Sequence, residues 1–420
     1  MSRLAGEIYN VTNYGAVGNG TTDARAKIKA AIDACSAAGG GTVYVPQGTF
    51  LISSALTIPA NVRLKGEGEL SVIKPADGTA FAGTAVFITN GANSSITDLK
   101  IASNLGKIGI NIIGGTSDLI IDKVYFGNGI QGIAFNNDPA FPVQNVRITN
   151  CKFDKAGYGI LFYATSKGSG VLIQGCTFFN GGYDYIEINQ ADFTGIIIND
   201  NDFETFTTSG TTDGFAVGIA RAKGVTVANN RFNGIQKEAI HVEDSSSDIV
   251  IFKNEFMECG YSFTDPTVNS KVVNIISGSV RVVINKNTFK NTGRRGTGVY
   301  MGASGGNNGS QHTVLNNTFT GMRNAAVNDE QTLCDFINNE IADCNKGFAG
   351  FKLFSQNYLG NKISNCAYGF SHSGYNLYWT TTDTRNIYSN NQLTNVTTPF
   401  DSDENKGYML RTLISNQGLN

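Results

Sequence analysis

Ile148-Thr149-Asn150-Cys151-Lys152-Phe153 is answered 25 residues later by Ile173-Gln174-Gly175-Cys176-Thr177-Phe178, and 25 further on by Ile198-Asn199-Asp200-Asn201-Asp202-Phe203. Each phrase is a β-branched residue, two small or polar residues, Asn or Cys, one more polar residue and Phe. It recurs as Val227-Ala228-Asn229-Asn230-Arg231-Phe232 and Ile284-Asn285-Lys286-Asn287-Thr288-Phe289, and in a five-residue form as Leu315-Asn316-Asn317-Thr318-Phe319. Shorter or Ile-ended versions fall at Asn254 with Phe256, Asn339 with Ile341, and Asn361 with Ile363. Counting Phe126 as the first, the ten marker positions are spaced 27, 25, 25, 29, 24, 33, 30, 22 and 22 residues apart. A second short strand usually follows, as in Gly159-Ile160-Leu161-Phe162 or Ala239-Ile240-His241-Val242. Strands too short to bury a face alone, linked by turns at this period, describe a parallel β-solenoid. Chemically similar side chains then stack from rung to rung, Phe inside and Asn at the corner. Cys151 and Cys176 occupy the corner slot that Asn201 and Asn230 fill later, so they read as small packed substitutes in the ladder. Absent Leu spacing excludes a leucine-rich repeat, and the single Trp379 argues against a propeller.

Composition agrees. Of 420 residues, 50 are Gly and 46 Asn, both tolerant of positive φ, while only 16% are charged against about 25% in an ordinary soluble domain. A net charge of −2 gives no global electrostatic case for nucleic acid or an anionic membrane. No window approaches 18 consecutive apolar residues, so no membrane-spanning helix is expected. The opening Met1-Ser2-Arg3-Leu4-Ala5-Gly6-Glu7 lacks the apolar run of a secretory signal, so either export takes another route or a leader is missing from this chain. Seven cysteines, odd in number and without a Cys-x-x-Cys spacing, read as buried thiols rather than staples or zinc ligands.

The organisation expected is a cap over residues 1–50, a parallel β-helix over 51–372, and a C-terminal cap or oligomer contact over 373–420. Within the first cap, Asp23 to Gly39 reads as one helix: Thr22 or Asp23 caps it, Ile28, Ile32 and Cys35 form its apolar stripe, and Gly39 stops it. The segment Asn10-Val11-Thr12-Asn13-Tyr14-Gly15-Ala16-Val17-Gly18-Asn19-Gly20-Thr21-Thr22-Asp23, the helix, and then Gly40-Gly41-Thr42-Val43-Tyr44-Val45-Pro46-Gln47-Gly48-Thr49-Phe50 resemble the opening of the pectate-lyase-like superfamily. That resemblance implies an all-β, right-handed parallel β-helix acting on a polysaccharide. The absence of a leader resembles the phage tailspike depolymerase branch, which implies a homotrimer on the outside of a virion. The catalytic signatures of polygalacturonases, alginate epimerases and pectate lyases do not appear.

Registering the second strand of each rung locates the candidate chemistry, because alternate residues face outward and rungs stack about 4.8 Å apart. With Ile160/Phe162, Ile186/Ile188, Phe215/Val217 and Ile240/Val242 placed inward, the outward columns read Tyr158, Asp184, Asp213, Glu238 and then Leu161, Glu187, Ala216, His241. A third column reads Tyr163, Asn189, Gly218, Glu243, with Asp244 just beyond. Carboxylates accumulate in register nowhere else in the chain; outward slots elsewhere carry residues such as Asn274 and Tyr300. Like charges about 5 Å apart raise one another's pKa, and a raised acid beside an ionised carboxylate is what glycosidic cleavage requires. Asp213 or Glu238 is therefore assigned as general acid, and Glu187 or Asp184 as nucleophile or base. His241, between Glu238 and Glu243, is an orienting group or, for a β-eliminating lyase, the base.

Tyr158, Tyr163, Tyr183, Asn189, Arg221, Lys223 and Asp244 are candidate glycan contacts, with Arg294 and Arg295 two rungs on and the turn 302–311 beside the groove. No cofactor and no metal ligand set is assigned, although an oxygen-rich cluster also suits Ca²⁺. The expected function is polysaccharide depolymerisation of the glycoside hydrolase type. The alternatives are a lyase and a non-catalytic glycan-binding appendage or adhesin.

Overall fold

The computed structural model describes residues 7–102, 106–204, 214–260, 270–292, 296–302, 309–330, 333–351, 355–373, 386–402, 411–414 and 417. The chain forms two compact units, residues 1–202 with 206–214 and residues 203–205 with 215–420. Both are parallel β-helices. In the first, Ile108–Ile112, Gln131–Phe135, Tyr158–Phe162 and Ile186–Asn189 pair in parallel, each with the next. Its other strands pair likewise, Ser117–Gly127 with Val143–Thr149 and Lys152–Asp154, and these with Lys167–Gln174 and Thr177–Phe179. In the second unit Val217–Ala220, Ile240–Glu243, Lys271–Ile275, Thr297–Met301, Ala325–Asp329, Lys346–Phe351, Tyr368–Ser373 and Thr398–Ser402 form one parallel series.

The marker residues do what the spacing predicts. Phe126, Phe153 and Phe178 stack face to face with centroids 4.8 and 4.6 Å apart. In the second unit Phe203, Phe232, Phe256, Phe289 and Phe319 continue at 4.7, 4.8, 4.7 and 4.5 Å. These intervals are the strand-to-strand spacing of about 4.8 Å, so the backbone ladder sets the ring stack. The corner asparagines form a second ladder. Asn254, Asn287, Asn317, Asn339 and Asn361 are each almost wholly buried, and each accepts from the backbone N–H and the side-chain amide of the Asn one rung earlier. Each corner needs a left-handed residue just before the ladder position, and Asn229, Lys253, Lys286, Asn316 and Asn338 have φ between 52° and 58°. In the first unit Cys176 stands in this slot, its N–H donating to Asn201 Oδ1 at 2.9 Å. All seven cysteines are buried free thiols.

Some of the abundant glycine serves packing rather than turning. Gly132 and Gly159 lie inside strands directly over the Phe stack. A Cβ on Gly159 would sit 2.4 Å from the Tyr185 carbonyl oxygen and 2.9 Å from the Phe178 ring. Gly159→Ala is accordingly expected to lower unfolding free energy by about 1–3 kcal/mol, read from the urea midpoint, because the ring column has nowhere to move.

The helix Arg25–Ala37 buries Ile28, Ile32 and Cys35; its N-cap is Ala24, without a side-chain cap bond, rather than Thr22 or Asp23, although Asp23 accepts from the Arg25 N–H at 3.0 Å, and Gly39 takes φ 90° at its end. The boundary expected at residue 372 is not a break in the pairing. Asn386–Ser389 pairs with Asn357–Leu359, Gln392–Thr394 with Lys362–Ser364, and Arg411–Ile414 with Asn386–Ser389. Tyr388, within the segment expected to be a C-terminal cap or an oligomer contact, is wholly buried and stacks on Tyr358 at 4.8 Å. Tyr375, Tyr378 and Trp379 lie outside the described residues. No helix among the described residues is long and apolar enough to cross a membrane.

Candidate active site

Two groups of the expected residues lie in different units, and each is built from its own rungs. In the first unit the expected register holds: Leu161 pairs with Glu187, and Ile160 and Phe162 with Ile186 and Ile188. Tyr158 stacks on the exposed Tyr183 with centroids 5.3 Å apart and 19° between the rings. Asp184 is buried, Glu187 half-buried, and Asn189 exposed at the strand end. Burial, and then the charges of Asp184 and Glu187, hold the Tyr158 hydroxyl above its usual pKa. Tyr163 accepts from Gln131 Nε2 at 2.8 Å, while Gln131 Oε1 is buried without a partner. Tyr185 belongs to the core.

In the second unit the register differs from the expectation by two residues. Val217 pairs with Ile240, Gly218 with His241 and Ala220 with Glu243. The assignment of Phe215 and Val217 as the inward partners of Ile240 and Val242, with Ala216 beside His241 and Gly218 beside Glu243, is therefore corrected. Phe215 leaves the inward column and stands where Glu238 stands one rung later, its ring stacked on the His241 imidazole at 4.3 Å and 12°. Asp213 lies outside the described residues, as do Arg294, Arg295 and most of the turn 302–311.

His241 is 7% exposed and sits between two carboxylates. Nδ1 is hydrogen-bonded to Glu238 Oε2, and Nε2 lies 3.2 Å from Glu243 Oε2. The other oxygen of Glu238 accepts from Asn274 Nδ2 at 3.0 Å. Asn274, paired in register with His241, is 4% exposed, and its Oδ1 is buried without a hydrogen-bond partner. Burial alone pushes the imidazole pKa down, but the hydrogen bonds and charges of Glu238 and Glu243 together outweigh it and raise the pKa to about 9. His241 holds Glu243 below the usual carboxylate range. The resting form at neutral pH is an imidazolium fixed by Glu238 and capped by the more exposed Glu243. Glu238, with both oxygens engaged, orients the ring and is poorly placed as the general acid expected from the sequence.

This geometry fixes a titration. Glu238→Gln keeps the shape and removes one charge, so the His241 midpoint is expected to fall from about 9 toward the ordinary value, read from its imidazole resonances among only three histidines. The raised folded-state pKa also means that this stabilisation is complete below about pH 6.5 and lost as pH rises through about 9.

Arg221 and Lys223 are exposed just beyond Ala220, the Arg221 N–H donating to the Glu243 carbonyl at 3.2 Å. Asp244 follows with φ 55°. His312 and His372 are core residues: His312 Nδ1 accepts from the Val282 N–H, and burial depresses the His372 pKa to about 3. Among the described residues no group of three or more His, Cys, Asp or Glu side chains is arranged to hold a metal ion. Sequence reasoning missed the parts played by Phe215, Asn274 and Gln131; the signal for Asn274 was its place in the His241 column.

Residues 8–264 match the family model described as rhamnogalacturonase A/epimerase, pectate lyase-like. The mannuronan C5-epimerase AlgE6 of Azotobacter vinelandii is 43% identical over 108 residues, 23% of this chain and 12% of that protein. Alginate lyase 7 of the same organism is 42% identical over 108 residues, 23% of this chain and 13% of that protein. Both matches span only about an eighth of those relatives. Tailspike protein 3 of bacteriophage CBA120 shares the fold, with a TM-score of 0.59 at 13% identity over 98% of this chain and 62% of that one. The family match takes in more than half of the sequence and both groups of candidate residues up to Asp244, and the chain belongs to the rhamnogalacturonase A/epimerase, pectate lyase-like family.

Proposed function

We infer that the protein is a polysaccharide-modifying enzyme that acts on uronate residues through His241. The observation that carries this reading is the arrangement itself: an imidazolium buried against Phe215, oriented by Glu238 and Asn274, with Nε2 facing a partly exposed carboxylate. A sugar carboxylate taking the place of Glu243 at Nε2 would be neutralised there. Neutralising that carboxylate acidifies the adjacent C–H, whose proton passes to the displaced Glu243 carboxylate; a proton returned to that carbon gives the epimer, and departure of the O4 substituent, protonated from solvent, gives the unsaturated end. The matches to a mannuronan C5-epimerase and an alginate lyase support the same chemistry. Paired-carboxylate hydrolysis fits less well at this centre, because an imidazole bridges the two carboxylates and both oxygens of Glu238 are occupied.

A second reading keeps hydrolysis for the first unit, where Asp184 and Glu187 adjoin the stacked Tyr158 and Tyr183, a flat surface suited to a sugar ring. Incubation with mannuronan, alginate, polygalacturonate and neutral glucans, followed by mass and NMR analysis, separates the readings. Unsaturated ends or an inverted carbon support the uronate reading. A water added at each new end supports hydrolysis, and binding without any product overturns both in favour of an adhesin.

A further inference from the structure

The first unit carries a second, differently built site away from the strands that hold Tyr158 and Asp184. Between Ser95–Ile101, Ser117–Gly127 and Lys152–Asp154 lies a cavity of about 450 Å³ lined by Lys100, Tyr125, Gly127, Asn128, Asp154 and Lys155. Lys100, Tyr125 and Lys152 stack in one outward column, and the Lys100 ammonium sits 4.4 Å from the centre of the Tyr125 ring. The negative charge in the site is already committed. The Tyr125 hydroxyl donates to Asp154 Oδ2 at 2.6 Å, and Asn180 Nδ2 donates to Asp154 Oδ1 at 2.9 Å. Lys152 is paired with Glu69 at 3.0 Å. Lys100 and Lys155 form no ion pair among the described residues, and both border the cavity.

Their backbones are two rungs and about three residues apart, which places them about 14 Å from one another and lets two side chains of about 6 Å converge on a ligand between them. The volume suits a short oligosaccharide. Gly127 leaves the floor open, since a Cβ there would press the Tyr125 ring at 3.3 Å. Locking the tyrosine hydroxyl onto Asp154 holds the ring edge as a fixed wall. We propose that this cavity is an accessory binding site for an anionic oligosaccharide, with Lys100 and Lys155 each taking one acidic group and the Tyr125 ring and Asn128 meeting the sugar between them. It would hold the polymer on strands other than those of the Tyr158 platform. The ligand class follows the uronate reading above; the site does not depend on His241.

The test uses the full chain with its lysines converted to ¹³C-dimethyl-lysine, which keeps their charge, in the His241→Gln background so that no ligand is consumed. Signals of Lys100 and Lys155 are assigned from Lys100→Arg and Lys155→Arg. A uronate tetramer is expected to shift both signals saturably, about tenfold more tightly than inorganic phosphate, with no shift from a neutral glucan tetramer. Lys100→Gln with Lys155→Gln should weaken the tetramer's calorimetric affinity, and the double Arg variant should restore it. The proposal is overturned if the tetramer leaves both signals unmoved, if phosphate binds as tightly and marks a plain anion patch, or if the neutral sugar shifts them equally. Turnover of uronate by the wild type with unmoved lysine signals would reject this site and keep the His241 reading; saturable shifts without turnover would do the reverse.

Discussion

His241→Gln is expected to cut turnover of a uronate polysaccharide by about 10²- to 10³-fold, the usual cost of removing one group that stabilises a developing anion. Gln is chosen because its amide can still donate to Glu238, so that the neighbouring carboxylate is not left buried and alone, a change that would itself destabilise the rung. The loss should fall on kcat more than on KM if the imidazolium acts on the developing carbanion charge rather than on ground-state binding. Glu238→Gln should act differently. It leaves the imidazole in place but lowers its pKa, so activity that depends on the imidazolium, sustained toward pH 9 in the wild type, should fail at a lower pH. Steady-state rates across pH 6 to 10 on soluble polymer, with folding followed by circular dichroism, check both. A wild-type rate for His241→Gln, or an unmoved alkaline limb for Glu238→Gln, would remove His241 from the chemistry.

Phe256→Ala carries the largest expected cost in stability, about 3–5 kcal/mol in the unfolding free energy of the second unit. The ring is 1% exposed and lies between Phe232 at 4.8 Å and Phe289 at 4.7 Å, so both of its faces are packed. The rungs on either side are held in hydrogen-bonded register and cannot close the gap, which leaves a cavity rather than a collapse. Asn287→Ala in the adjacent ladder should cost about 1–3 kcal/mol or more for a different reason. It strands the Asn254 N–H and side-chain amide, which donate to Asn287 Oδ1 at 2.8 and 3.0 Å, and leaves the Ile251 carbonyl without the Asn287 amide at 2.9 Å. Urea denaturation of the full chain, followed by tryptophan-independent circular dichroism, compares the two. A midpoint for Phe256→Ala within error of the wild type would mean that the stack does not hold the rungs.

The fold was legible because the solenoid repeats its own stereochemistry. A left-handed corner, a buried Asn and an inward Phe must each recur once per rung, and Asn229-Asn230-Arg231-Phe232 spells all of them. The Cys176 substitution was legible for the same reason. The first-unit rung was registered correctly because each strand offers one apolar pair, Ile160 with Phe162 and Ile186 with Ile188, and a two-residue slip would bring Asp184 or Gln190 into the inward column. The next rung was not. Phe215-Ala216-Val217-Gly218-Ile219 offers inward alternation starting at Phe215 or at Val217, and a two-residue slip leaves the alternation intact. Only the three-dimensional pairing shows that Phe215 packs on His241. Asn274 was visible as an outward residue, but its bond to Glu238 joins positions 36 residues apart and has no local sequence signature.

Solvent isotope incorporation separates proton abstraction at the uronate from hydrolysis. In D₂O, removal of the proton next to the sugar carboxylate and its return from solvent leave deuterium at that carbon, whereas hydrolysis leaves the carbon untouched. With mannuronan or alginate as substrate, the wild-type chain is predicted to place deuterium at C5 of product residues or to release unsaturated ends, and His241→Gln to do neither at a comparable rate. Chain cleavage that adds water at each new end, without deuterium at C5 and without unsaturation, would contradict the account.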